Sequence, residues 1–363
     1  MKIETESKKE NMMITMVMWV VFALVSMLVM LYVASCKTIV IADSAHDETN
    51  VIGQKEAVHN AGEISLILQP GMSGEDCIRI PLAKGTKAEN VVMENRYMAR
   101  ELWIYLKSAE RAFYEENAIC GDLTSVLDGC CETGQDGVVL KLAMSRVLEY
   151  RSTMENDTLV IACYEPKELY EQIVVVDPLR GDGKDDGMTE SSTDRDITLQ
   201  VAKQLQKRPE QENIKIYYTG LEDADVSVED RLAFAEAVKA DIYIVLGVCQ
   251  DTEQPECYGI QSFYNEDYFI PEFGNVQLAD ILTRNVTVAA GNRAIGLSPA
   301  DADSILCEIE IPAAEVCMGY LSNAQEQALL QQEFYQQKLA EGLANAILEV
   351  YTSKNTSDEV GEI

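Results

Sequence analysis

The chain has 363 residues, 47% hydrophobic and 25% charged, which is room for about two domains with substantial cores and excludes wholesale disorder. Asp and Glu number 61 against 29 Lys and Arg, a formal net charge of −32. Such a surface repels phosphate backbones, which sets nucleic acid aside as a ligand and favours cationic partners.

Taken in chain order, the first feature is the uncharged run of 23 residues from Met12 to Ala34. At about 1.5 Å per residue it spans a hydrocarbon core of about 30 Å, and it reads as a transmembrane helix. Lys2, Lys8 and Lys9 precede it and only Lys37 follows closely. The positive-inside bias therefore predicts residues 1–11 as a cytoplasmic tail, 12–34 as a single-pass anchor in the cell membrane and the bulk of the chain as extracytoplasmic. The stretch "VASC" ending at Cys36 also has the form of a lipoprotein signal end, so an uncleaved anchor and a lipidated Cys36 both stay open.

Residues 35–62 have no sustained period and read as a stalk, which holds both histidines of the chain, His46 and His59. The nine cysteines after Cys36 fall in a disulfide-permissive compartment on this reading. Cys120 with Cys130 or Cys131, and Cys249 with Cys257, are the local pairs that spacing suggests, with buried thiols as the alternative.

Residues 63–168 are expected to form a small β-rich domain. Within it "ENRYMARELWIYLKSAERAFY" places Met98, Leu102, Tyr105 and Leu106 on one helical face, while "GVVLKLAM" and "TLVIACYE" read as strands. From residue 169 to 352 strands and helices alternate. "QIVVVD", "IKIYYTG", "DIYIVLGV", "GIQSFY", "DSILCEI" and "AAEVCM" are strand candidates. "DRDITLQVAKQLQK" reads as a helix with Ile197, Val201, Ala202 and Leu205 inward, and "SVEDRLAFAEAVKA" as a helix capped by Ser227. A last helix starts at "SNAQ", and residues 353–363 form a polar tail. This grammar predicts a layered α/β domain with a mostly parallel sheet and helices on both faces.

Several collinear blocks carry a family likeness: "IVVVDPLRGDGKDDG", "LEDADVSVEDRLAFAEAVKADIYIV", "GIQSFY", "IPAAEVCMGYLSNAQEQALL" and "YQQKLAEGLANAI". Together they resemble the zinc-dependent N-acetylmuramoyl-L-alanine amidases over about half the chain, from Ile173 to Tyr351. The close of the preceding domain, "VVLKLAMSRVLEYRSTMENDTLVIACYEPKELY", resembles the wall-targeting β domains found before some of these enzymes. The resemblance implies cleavage of the bond between the muramic acid lactyl group and the stem peptide of peptidoglycan. It also implies a zinc ion held by His, Glu and His, with a second Glu assisting the attacking water. Neutral imidazole and carboxylate leave zinc an open position, and the metal lowers the pKa of its water to about 7.

Position by position, the resemblance places Arg180 and Gly247 where the family has its two ligand histidines. Asp194 falls on the ligand Glu and Cys317 on the catalytic Glu. Arginine stays cationic and has no lone pair for a metal. An independent count agrees, because no histidine occurs from residue 60 onward.

Asp194, Cys249 and Cys317 near the former pocket could hold zinc, against the alternative that the two cysteines are buried or disulfide-bonded. Arg180 opposes a metal there and could instead pair with Asp194, and a Cys317 nucleophile has no histidine base. "GDGKDDG" reads as an acidic surface turn or a calcium loop. The expected protein is a membrane-anchored pseudo-amidase without a cofactor, bound to peptidoglycan or to a cell-envelope protein such as a hydrolase or division or sporulation complex. The alternatives are an active amidase with an atypical site and a purely structural envelope protein.

Overall fold

The computed structural model describes residues 37–38, 41–44, 63–71, 76–178, 192–209, 213–221 and 226–360, of which 37–38, 41–44, 192–195 and 353–360 are described by backbone alone. The predicted anchor, both histidines, Arg180 and the "GDGKDDG" run lie outside these residues. Among the described residues no helix is long and apolar enough to cross a membrane.

The first half is two six-stranded sheets. One contains the strands Cys77–Pro81, Glu149–Glu155 and Thr158–Tyr164, and the other Val91–Arg96, Glu101–Lys107, Val126–Thr133 and Gly137–Met144. Alternate residues point inward, as a half-buried pleat requires: Leu102, Ile104 and Leu106 from one strand meet Val138, Leu140 and Leu142 from its neighbour, and Ile78, Ile80, Leu159 and Ile161 join them from the facing sheet.

Three expectations are corrected here. The helix expected across "ENRYMARELWIYLKSAERAFY" is a hairpin, Val91–Arg96 paired antiparallel with Glu101–Lys107, followed by a short helix at Arg111–Glu116. Its apolar residues fit a period of two better than 3.6, and Arg100 makes the turn at φ 56°. Lys37–Thr38 and Ile41–Ser44, placed in the stalk, are strands that pair with Glu149–Glu155 and Val91–Arg96. In the second half "DSILCEI" is a 3-10 turn at Ile305–Glu308 rather than a strand.

The second half is the layered α/β domain. Its strands are β1 (Gln172–Pro178), β2 (Ile214–Tyr218), β3 (Ile242–Cys249), β4 (Ile260–Tyr264), β5 (Ala294–Pro299) and β6 (Ala313–Tyr320). They lie in the order β2-β1-β3-β6-β4-β5. All neighbours are parallel except β4 and β6, so the sheet is mixed.

The helices are α1 (Ser192–Gln206), α2 (Val228–Ala237), α3 (Asn275–Ala290), α4 (Ala324–Leu330) and α5 (Glu333–Val360). Ser227 caps α2 by accepting from Asp230 N at 3.1 Å, and Asn323 caps α4. The buried runs Ile173–Val176 and Ile242–Leu246 are apolar on both faces of the sheet, the mark of strands covered on both sides.

Tyr97 locks the two halves together. Its ring lies 5.1 Å from Tyr217 and 5.4 Å from Phe234, and its hydroxyl donates to Tyr218 O and accepts from Tyr218 N, both at 3.1 Å. The hydroxyl thereby satisfies backbone groups on the outer edge of β2. Glu149 reaches across from the β-rich half to the Tyr217 hydroxyl and to Lys215 Nζ at 3.8 Å.

Candidate functional site

In an open α/β sheet, ligands gather at the carboxyl ends of the parallel strands. Here the register sets Asp177 of β1 beside Val245 of β3 and Val245 beside Glu315 of β6. Laterally paired residues share a face, so these three form one row across the sheet. Gly247 pairs with Cys317 in the next row toward the carboxyl edge.

The two carboxyl groups of that row differ. Asp177 is fully buried and fully engaged: it accepts from Thr219 Oγ1, from Tyr243 Oη at 2.8 Å and from Arg231 Nη1 at 3.4 Å. Arg231 comes from α2, is itself buried, and also donates to Val226 O. Burial first, then the Asp177 charge, pushes the Tyr243 phenol well above its ordinary range.

Glu315 makes no hydrogen bond or ion pair with the described residues. Its side chain keeps some contact with solvent, yet enclosure of the carboxyl, then the charges of Asp177 and Asp301, raise its pKa to about 7.

Gly247 explains where the Glu315 carboxyl sits. A Cβ on residue 247 would collide with Glu315 Oε1 and lie 3.2 Å from its Cδ. The glycine opens a notch in β3, and Glu315 leans along β6 to fill it. The space in which a residue-247 side chain would begin thus holds a carboxylate oxygen from the neighbouring strand.

Cys249 and Cys317 are joined by a disulfide, with Cα atoms 5.8 Å apart and a sequence separation of 68. This corrects the local pairings expected from spacing, since Cys120, Cys130, Cys131 and Cys257 are free thiols. Strand pairing overrides closeness in sequence: Cys120 lies in one sheet of the β-rich half and Cys130 and Cys131 in the other, while β3 and β6 are ladder neighbours.

Beyond the disulfide, β6 turns at Gly319, φ 150°. Glu326 of α4 holds that turn, accepting from Tyr320 N at 2.7 Å, Gly259 N at 3.0 Å and Asn292 Nδ2 at 2.7 Å.

Of the residues singled out in the sequence, the structure brings Gly247, Cys249 and Cys317 together. Asp194 lies in α1 by its backbone alone, and its pairing with Arg180 falls outside the described residues. The described positions do not fit a zinc ion of the family type. Residue 247 offers no donor, its place is taken by Glu315, and the Cys317 and Cys249 sulfurs are spent on each other.

Glu315 is not among the positions that the family resemblance singles out. The available signal was a charged residue inside the apolar run "IPAAEVCM", two positions before Cys317 and so on the same strand face. A second group, Glu63, Cys130 and Glu132, has its ligand-type atoms within 4.8 Å of one another in the β-rich half. Lys141 Nζ already sits 2.6 Å from Glu132, and burial, then Glu63, pushes the Cys130 thiol up to about 12, away from the thiolate a metal requires.

Residues 174–349 match the family model described as N-acetylmuramoyl-L-alanine amidase, which supports the resemblance read from the sequence. A curated relative from Staphylococcus aureus, described as probable cell wall amidase LytH, is 26% identical over 196 residues. That match covers 52% of this chain and 61% of the relative's length. Among solved structures, an N-acetylmuramoyl-L-alanine amidase from Clostridium difficile 630 aligns at 27% identity with a TM-score of 0.45, covering 50% of this chain and 98% of its own. The CwlD amidase from Clostridioides difficile, solved in complex with the GerS lipoprotein, aligns at 19% identity with a TM-score of 0.42, covering 50% of this chain and 99% of its own.

Proposed function

We propose that the protein is a non-hydrolysing relative of the cell-wall amidases, anchored in the membrane by residues 12–34 with its folded part outside, and that it binds peptidoglycan. The observation that carries this reading is the filled space at Gly247. Glu315 occupies the place of a residue-247 side chain, and Cys317, at the position of the family's catalytic Glu, is tied into a disulfide. The absence of histidine after residue 59 supports it.

The full-length chain, purified in detergent, is incubated with purified sacculi. Co-sedimentation without release of stem peptides is expected. Release of peptides with new free amino termini overturns the non-hydrolysing reading, and failure to pellet overturns peptidoglycan as the ligand in favour of a protein partner or a purely structural role.

A second reading keeps hydrolysis and rests on Glu315, whose pKa of about 7 is that of an effective general acid and base at neutral pH. It requires peptide release that Glu315→Gln abolishes.

A further inference from the structure

We propose that the outer edge of β2 is a docking groove for an extended segment of a partner protein, which pairs main chain to main chain with Ile214 and Ile216 and seats one aliphatic side chain beside Ile347 and Leu348. This role is independent of the wall ligand proposed above.

The register fixes which backbone groups are free. Gln172 N donates to Asn213 O and Thr219 N to Val176 O, both at 3.1 Å, while Gln172, Val174 and Val176 stand opposite Ile214, Ile216 and Tyr218. A strand bonds one neighbour through alternate residues, so the odd-numbered residues of β2 serve β1 and the even-numbered ones turn their N–H and C=O outward. β2 is the edge of its sheet, and outward groups there call for another partner. Tyr218 has one, because Tyr97 Oη donates to its carbonyl and accepts from its N–H. Ile216 and Ile214, the next two outward residues, have no backbone partner on that side among the described residues.

An apolar pocket of about 90 Å³ lies along the same edge, walled by Tyr97, Leu205 of α1, Ile214 and Ile216 of β2, and Ile347 and Leu348 of α5. Leu205 and Ile347 are buried, Ile214 and Ile216 are half-buried, and Leu348 stays 37% exposed, so the wall is open on one side. An apolar cavity of about 150 Å³ accepts a benzene ring, so this one suits a smaller group such as a valine or leucine side chain. Arg208, also on the wall, donates to Gln337 O at 3.2 Å and pairs with Glu341 at 3.5 Å, which leaves no spare charge for an ionic ligand.

Together these features select the occupant. Unpaired main-chain groups at every second residue match an extended polypeptide, and apolar room for one side chain beside them matches its alternate residue. The groove also continues an interface that the fold already uses, since the β-rich half docks on this edge one step along, at Tyr218, with a hydroxyl in place of a strand. Two free residues suit a peptide better than a second copy of the chain, because a stable contact between globular proteins covers about 800 Å² on each side.

A displayed library of random twelve-residue peptides is selected on the full-length chain, with Leu348→Glu as the counter-selecting protein. Peptides with aliphatic residues at alternate positions are expected to enrich. Hydrogen–deuterium exchange, resolved by residue, should show a selected peptide slowing the amides of Ile214 and Ile216 and leaving those of Lys215 and Tyr217, already bonded to β1, unchanged. Ile216→Pro removes an outward N–H and keeps the bonds to β1, and should weaken binding about tenfold, the worth of one or two ladder hydrogen bonds. Should that variant fail to fold, Leu348→Glu, at a partly exposed position, carries the comparison. No enrichment over Leu348→Glu, or binding that leaves exchange at Ile214 and Ile216 unchanged, overturns the inference. Self-association in sedimentation velocity that Ile216→Pro or Leu348→Glu abolishes overturns it in favour of a second copy.

Discussion

Asp177 and Glu315 stand in the same row of one sheet, two strands apart, and their surroundings are opposite. Asp177 is sealed among three donors drawn from three parts of the α/β domain, while Glu315 fills the notch at Gly247 and has none among the described residues. The difference teaches where this domain spends its polar chemistry. The β1 end is built for rigidity, and the β6 end keeps an unsatisfied group at the carboxyl edge, where such folds bind ligands.

Breaking the sealed side should have the largest effect. Asp177→Ala strips Arg231 of its buried counter-charge and Tyr243 of its acceptor, and is expected to cost about 3–5 kcal/mol in denaturant unfolding. A cost under about 1 kcal/mol would mean that the network is not a structural anchor. Next comes the disulfide between the two rows' neighbours. Opening a bridge that spans 68 residues should cost about 2–4 kcal/mol, seen as a lower melting temperature when reductant is added, and absent in Cys249→Ala/Cys317→Ala.

Gly247→Ala tests the notch. Overpacking against Glu315 should cost about 2 kcal/mol, and most of that cost should vanish in a Glu315→Ala background, because removing the carboxylate frees the space. Additive costs in the double mutant would deny the contact.

The smallest effect is the pH dependence of the bare carboxyl. Its folded pKa, about 7, lies above the ordinary 4.5, so the stability it contributes is fully present below about pH 4.5 and is lost as pH rises through about 7. Glu315→Gln cannot ionise and should therefore be more stable than wild type at pH 8 by about 1–2 kcal/mol, after allowance for its solvent contact, with no gain of this kind at pH 4. Parallel stability profiles for the two proteins would contradict the raised pKa.

Some of this was legible in the residues alone. Val174 to Val176 and Ile242 to Leu246 are apolar at every position, and "SVEDRL" carries its own cap, so β1, β3 and α2 are specified locally. Leu278, Ile281, Leu282 and Val286 repeat at helical spacing, so α3 too is written in local periodicity. The hairpin at Val91–Lys107 was harder, because Met98, Leu102 and Leu106, four residues apart, suit both periods, and burial of Leu102, Ile104 and Leu106 together decides between them.

By itself the sequence determined the alternating α/β grammar, the family likeness of its second half and the loss of every histidine after residue 59, since each of these is a property of residues in order. Only the tertiary structure decided that Cys317 bonds to Cys249 rather than resting as a thiol, and that Glu315 fills the space left by Gly247. The physical reason is the same in both cases. The partners sit on β3 and β6, brought side by side by a parallel register that no local pattern encodes, and a glycine advertises nothing about which neighbour will occupy the room it leaves.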